Sequence, residues 1–460
     1  MADGKALAAR RNILGLECRW QSVAQISASM GSVQVRLAYG TEGLLVDLPD
    51  GQTTVVTPVF QPGLSDPASA LAQALKHPVA GPPLCQLARP GQNVAISVCD
   101  ITRAQPRQLM VPAVLDELDG IVSPENVVIL VATGTHRNNT EDELIQMLGE
   151  DVVSRYRVVN HDARDDSTLV DLGLLGGGVP AILNRQWVEA ELRITTGFVE
   201  PHFFAGFSGG PKMVAPGLAG MNCVLELHNA GRIGHPLATW GVIEGNPVQE
   251  GLRAVVRAAP AHFGLDVVLN NRQEITHVFG GELFAMHRQA CVAAKQVAMR
   301  QVDGPFDVVV TTNSGYPLDQ NLYQSVKGMS AAAGIVRQGG LIICASECRD
   351  GYPDHGSYAD ILRSRSSAGE LLDMIEAPGY SAPDQWQVQI QARIQRHAKV
   401  MLKSSYLSDK QLEAAHLQPV SDIGVAVSDE LDKLSAPGRV CVLPEGPQTI
   451  PFLSAQDEEM

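Results

Sequence analysis

The sequence predicts an α/β protein of two domains, each built on a mainly parallel sheet flanked by helices, with the active site in the cleft between them. Three observations carry this. At 460 residues the chain exceeds what one hydrophobic core usually organises. In its first half, short uninterrupted Val/Ile/Leu runs are each followed by a polar loop, as strands buried on both faces require. After residue 303 a new series opens, in which FDVVVTTNSG, NLYQSVKGMSAAAGIV and GGLIICASE read as strand, helix and strand with glycine between them.

The elements follow in order. Residues 1–30 show no clear period and form an N-terminal extension to which no function is assigned. Within 31–60, VQVRLAYG and GLLVDLP are separated by Gly and Thr and predict a hairpin, with TTVVTPV as a further strand. This small antiparallel unit is expected at one edge of the first domain. A Pro-rich link over 80–90 then leads to NVAISVCD, NVVILVATGTHR, YRVVNHD and AELRITTGFVEPH, each a strand running into a loop. Thr140 with Glu143 matches a capping box and starts a helix after the second of these strands. The first domain is assigned 31–302, ending near QVDGP, and the second, 303–460, closes over the cleft and carries the C-terminal tail.

Composition narrows the function. With 35 basic against 50 acidic residues the formal charge is -15, and no basic run offsets it, which works against nucleic acid as a partner. Eight cysteines contain no CxxC pair and lie nearest each other at Cys344 and Cys348, as expected of reduced thiols in a cytoplasmic protein. The start, MADGKALAARRNILG, lacks the apolar core of a signal peptide, and no apolar run reaches the ~18 residues a membrane span needs.

In an open α/β sheet the ligand crevice lies beyond the carboxyl ends of the strands. That rule gathers Asp100 and Arg103 from CDITR, His136 from TGTHR, His161 and Asp162 from NHD, and His202 from VEPH at one rim. Taken singly, a histidine is more often structural and an Asp/Arg pair more often a local ion pair. The stretch PHFFAGFSGGPKMVAPG is not a Walker A loop, because Lys212 follows proline and no Ser or Thr comes after it. Ser208, Gly209 and Gly210, leading into Pro211, either offer N–H groups to a phosphate or form a tight turn. Lys212 reads as a phosphate cation, an activated amine or a solvated charge. His228 in CVLELHN is a candidate metal ligand, although no HExxH or CxxC accompanies it. Gln324 and Lys327 in YQxxK share one helix face, either solvated or reaching toward an anionic substrate. Trp386 in PDQWQVQ is a core or hinge aromatic, or a side chain that closes over a flat ligand.

Together these motifs resemble the lactate racemases that carry a nickel-pincer nucleotide. HFFAGFSGGPKMVAPG with His228 in the following helix is the most specific part, and DITR, ATGTHR, YQxxK and DQWQVQ stand in the order that family shows. The resemblance runs from about residue 30 to VLPEGPQTIPFL. It implies that Lys212 holds the pyridinium nucleotide through a thioamide and that His228 completes the nickel coordination after two sulfurs and one ring carbon. It further implies His136 and His202 as the catalytic histidines, and Arg103, Gln324 and Lys327 as substrate residues. Asp100, Ser208, Gly209, Gly210 and Trp386 match positions around the cofactor. The implied activity is inversion at C2 of a lactate-like 2-hydroxy acid by hydride transfer to and from the pincer, with cofactor-biosynthesis proteins as partners. A C2 epimerase of sugar acids, a non-catalytic nucleotide-binding protein and, more weakly, a metal-dependent hydrolase are the rival readings.

Overall fold

The structure is a computed structural model that describes residues 26–29, 31–353 and 356–454. The expected N-terminal extension lies outside the described residues apart from 26–29. Strands β1 (Ile26–Ser29), β2 (Ser32–Leu37) and β3 (Leu44–Pro49) form an antiparallel sheet, followed by β4 (Thr53–Val55). Alternation along β2 buries Val33, Val35 and Leu37 on one face. That face packs on Val308, Val310, Leu341 and Ile343, and β4 pairs with Val440–Leu443, all of them in the second sheet. The hairpin expected at one edge of the first domain therefore packs on the second sheet. Its alternation requires that one face be covered, but says nothing about which sheet covers it.

The first large sheet contains β5 (Val94–Cys99), β6 (Val127–Ala132), β7 (Arg157–Asn160), β8 (Leu192–Phe198), β9 (Phe263–Leu269) and β10 (Ile275–Gly281), in the order β10-β9-β8-β5-β6-β7. All neighbours are parallel except β9 and β10. Every residue of β5 is buried, as its largely apolar run predicts, with the Ser97 hydroxyl donating to the Met213 carbonyl at 2.7 Å. Helix α1 (Arg107–Leu118) covers one face with Met110, Val111, Val114 and Leu115. Helices α2 (Met221–Leu227), α3 (Pro247–Ala258) and α4 (Leu283–Ala298) contribute to the core on the other. The capping box at Thr140 and Glu143 forms as predicted. The chain builds outward from β5 through β6 and β7, then returns to β8 on the opposite side. That reversal opens a crevice at the carboxyl ends of β5 and β8.

The second sheet contains β11 (Phe306–Thr312), β12 (Val336–Ala345), β13 (Lys399–Lys403), β14 (Gln418–Pro419) and β15 (Val440–Leu443), ordered β14-β13-β12-β11-β15-β4 and parallel throughout. Helices α5 (Leu322–Ala333) and α6 (Gln385–His397) pack on it and also meet the first domain. Trp240 donates its indole N–H to Ser330 Oγ at 3.1 Å, and Gln389 Nε2 donates to the Ala230 carbonyl at 2.9 Å. These contacts set α5 and α6 against the crevice. Among the described residues no helix is long and apolar enough to cross a membrane.

Candidate active site

Asp100 follows β5 directly and is 3 % exposed. Its Oδ1 accepts the Thr102 hydroxyl at 2.7 Å, and its Oδ2 lies 2.6 Å from Nδ1 of His136, in the loop after β6. Burial alone would raise this carboxyl, but the hydrogen bond and charge of His136, with Arg103 and Thr102, hold it below its ordinary value. An ionised Asp100 accepts the Nδ1 proton and leaves Nε2 as the basic nitrogen of His136. Arg103 Nη1 donates to Thr102 Oγ1 at 3.0 Å, so one short loop positions a base and a cation.

After β8, Pro201–His202 pairs antiparallel with Gly206–Phe207. Gly206 has φ +76°, and a Cβ there would overlap the Val242 carbonyl. Gly206→Ala is expected to destabilise the protein by about 3 kcal/mol, read as a lowered Tm. The turn places Phe204 edge-on to the His202 ring at 4.4 Å. The Ala205 N lies 3.3 Å from His202 Nδ1, and His202 Nε2 lies 3.4 Å from Lys212 Nζ. Burial, then Arg103 and Lys327, push the Lys212 amine down to about 7. Burial, then Lys212, Lys327, Arg103 and His228, hold His202 well below its ordinary value. Near neutral pH the pair is therefore a neutral imidazole beside an amine with a substantial uncharged, nucleophilic fraction.

The backbone N–H groups of the adjoining turn point into the protein. Ser208 N–H donates to the Glu200 carbonyl at 2.9 Å and Gly210 N–H to Asp266 Oδ2 at 2.7 Å, while the Ser208 hydroxyl donates to the Phe198 carbonyl at 3.0 Å. The turn therefore uses the Ser208 and Gly210 donors internally. His287 on α4 supports the same turn, donating Nε2–H to the Ser208 carbonyl at 2.9 Å. Burial pushes His287 down to about 4, so it is neutral in the fold and charged in the acid-unfolded chain. Its share of stability is complete above its ordinary value and is lost as pH falls toward 4. Thermal unfolding is expected to show a falling Tm over that window, with a contribution on the order of 3 kcal/mol from this group.

His228 ends α2, 6 % exposed. Its Nδ1–H donates to the Val224 carbonyl at 2.7 Å, which leaves the Nε2 lone pair available, and burial pushes the ring down to about 4. The ring sits 5.3 Å from Phe204 and 4.7 Å from Trp386. Trp386 in turn donates its indole N–H to the Tyr323 hydroxyl at 3.2 Å, joining α6 to α5. On α5, Lys327 is pushed down to about 8 by burial and then Arg103, with Glu200 opposing. Gln324 stands half-buried one helical step away.

Glu200 was missed in the sequence. Its carboxyl is raised by burial, although Lys327 and Arg103 both favour its charge, so it lies in the walls of the same cleft while keeping contact with water. Its position two residues before His202 was the available signal. Two other candidates drop out. His161 is fully buried between the Ala219 carbonyl at 3.0 Å and Asn184 Nδ2 at 3.3 Å, and Asp162 accepts the Arg164 N–H at 2.9 Å in a local turn. Among the described residues no group of three or more His, Cys, Asp or Glu is placed to hold a metal ion, which removes the support for a three-ligand hydrolase centre.

Both halves of the chain match known proteins. Residues 39–241 match the family model of the lactate racemase N-terminal domain, and residues 302–450 that of the lactate racemase C-terminal domain. The lactate racemase of Thermoanaerobacterium thermosaccharolyticum is 34 % identical over 422 residues, spanning 90 % of this chain and 98 % of the relative. That of Lactiplantibacillus plantarum is 35 % identical over 377 residues, spanning 81 % and 88 %. The solved lactate racemase apoprotein from Thermoanaerobacterium thermosaccharolyticum superposes with a TM-score of 0.84 at 33 % identity, covering 91 % of this chain and 99 % of that one. A protein from Thermotoga maritima, 18 % identical with a TM-score of 0.61 over 84 % of this chain and 97 % of its own, shares the fold. With both halves of the cleft matched over most of their length, the chain belongs to the lactate racemase family and is an isomerase.

Proposed function

We propose that the protein is a cytoplasmic racemase of lactate or a similarly small 2-hydroxy acid, working with a nickel-pincer nucleotide tethered to Lys212. The pairing of Lys212 with His202 at 3.4 Å, together with a His136 supported by Asp100, carries this reading. The residues present fit the group. Lys212 is a nucleophilic amine in an enclosed site, His228 has a neutral ring with a free nitrogen suited to a transition metal, and Trp386 offers a flat wall beside it. When bound, the group would supply an electron-poor pyridinium ring suited to hydride exchange with C2 of the substrate.

The chain's own residues supply the rest. Arg103 and Lys327 hold the substrate carboxylate from the two domains, with Gln324 beside them. His136 takes the hydroxyl proton at Nε2, and Asp100 stabilises the imidazolium that forms. A bound carboxylate cancels part of the cationic field that keeps His202 neutral, so substrate binding itself raises the basicity of His202. Two bases follow from two mirror-image substrates. Closure of α5 and α6 brings Lys327 and Trp386 onto the ligand and excludes water. The division of the chain near residue 303, with β1 to β4 assigned to the closing domain, belongs to this proposal, as do biosynthetic proteins that supply the pincer.

Lys327→Ala removes one charged contact and is expected to lower kcat/KM about tenfold to a hundredfold, mostly through KM. Chiral analysis of lactate incubated with cofactor-loaded protein tests the whole reading. Either enantiomer should drift to an equal mixture, and no drift with verified loading rejects it. Glu200 favours one variant of the proposal, a polyhydroxy acid, because its carboxylate can accept the extra hydroxyls of a sugar acid while repelling a second carboxylate. A panel containing lactate, malate and a hexonic acid separates these substrates.

A further inference from the structure

Beneath the loop that carries His202 and Lys212 lies a set of buried polar side chains with no part in the steps above. Asp266 occupies the middle of β9, in FGLDVVL, where its strand neighbours are apolar or glycine, and it is fully buried. Its Oδ2 accepts the Gly210 N–H at 2.7 Å, while its Oδ1 has no hydrogen-bond partner. His287, 1 % exposed, holds the Ser208 carbonyl at 2.9 Å, and its ring fills the space that a Cβ on Gly210 would need. From the start of α3, Asn246 Nδ2 donates to the Phe204 carbonyl at 2.9 Å and Gln249 Nε2 to the Ala205 carbonyl at 2.7 Å.

A half-satisfied carboxyl inside an apolar strand opposes folding, and an aliphatic side chain would be better tolerated there. The single hydrogen bond of Asp266 runs to the loop. Between Gly210 and Lys212 stands only Pro211, whose φ is fixed, and the Lys212 N–H closes the turn on the Gly209 carbonyl at 3.0 Å. The position of the Gly210 N–H therefore sets the origin of the Lys212 side chain. Small errors in such an origin are costly where a reacting atom must be placed closely.

We propose that Asp266 and His287 are positioning residues that hold the Ser208–Lys212 turn so that the lysine amine stays beside His202. This rests on the reading of Lys212 as the point of cofactor attachment. The acceptor that Asp266 offers to Gly210 is the essential feature, so its charge is dispensable and its hydrogen bond is not.

Full-length protein without cofactor is treated across a pH series with trinitrobenzenesulfonate, and modification of the Lys212 peptide is quantified by mass spectrometry. In wild type the midpoint should lie near 7. In Asp266→Leu the turn relaxes, the amine becomes hydrated, and the midpoint should rise by at least about one unit toward an ordinary lysine. Asp266→Asn keeps an acceptor and should stay within about 0.3 unit of wild type. An unshifted midpoint in Asp266→Leu of unchanged Tm overturns the proposal. If that variant does not fold, His287→Phe, which keeps the ring and loses the donor, decides by the same readout: an upward shift supports the positioning role and no shift overturns it. Adduct mass after loading separates the two levels of the argument. A shifted midpoint in the variant with no adduct on wild-type Lys212 removes the tether and keeps the positioning role, whereas an adduct on wild type with no shift does the reverse.

Discussion

Lys212→Ala should fold at least as well as the parent protein and yet retain no nucleotide through dialysis, with racemisation falling below about one thousandth. The asymmetry follows from the site. Lys212 is pressed by burial, Arg103 and Lys327 toward its neutral form, so it contributes no favourable ion pair that the variant would lose. Removing it relieves a cluster of cations, and Tm is expected to stay level or rise slightly. What disappears is the primary amine that lies 3.4 Å from His202 Nε2. Lys212→Arg keeps the charge but not a nucleophilic nitrogen, because guanidinium remains protonated at any workable pH, and it should fail equally. Mass spectrometry of the Lys212 peptide from loaded wild type is the positive control. Undiminished racemisation by dialysed Lys212→Ala would sink the covalent assignment while leaving the family intact.

The sequence made much of this site legible, for a definite reason. Apolar-rich runs mark β5, β6 and β8, and a parallel sheet delivers its chemistry from the loops after such strands, so position marks Asp100, His136 and His202 as candidates beside His161 and Asp162, and the family resemblance singles out the first three. That Asp100 grips His136 was not legible, because the two sit on different loops and only register brings their atoms to 2.6 Å. The same limit hid the covering of β2 by the second sheet, since an alternating strand announces a buried face but not its partner. Asp266 and His287 were missed for a third reason. Each lies inside a regular element distant in sequence from the loop it supports, and a lone carboxyl within an apolar strand looks like an exception until the fold places Gly210 against it. Glycines at 209 and 210 are legible as a turn or a phosphate site, and the structure adds that both take positive φ and that the Gly210 N–H is held by Asp266.

His136→Ala and His202→Ala should each reduce racemisation about 10³-fold to 10⁴-fold, the usual weight of a positioned acid or base. His136 is 42 % exposed, so its variant should fold normally. Steady-state rates cannot say which histidine serves which enantiomer. The equilibrium between enantiomers is one, so kcat/KM must fall equally in both directions whichever base is lost. A half-reaction breaks that symmetry. Each enantiomer needs one base to take its hydroxyl proton as C2 is oxidised, and the opposite histidine acts only on return. Rapid quench of loaded His136→Ala should then show a burst of 2-keto acid from one enantiomer only, and His202→Ala from the other. Asp100→Asn offers no full negative charge to an imidazolium and should behave as a partial His136 defect, with the burst slowed for the same enantiomer. Bursts of equal size from both enantiomers in His136→Ala would remove that histidine from proton transfer, and Asp100 with it.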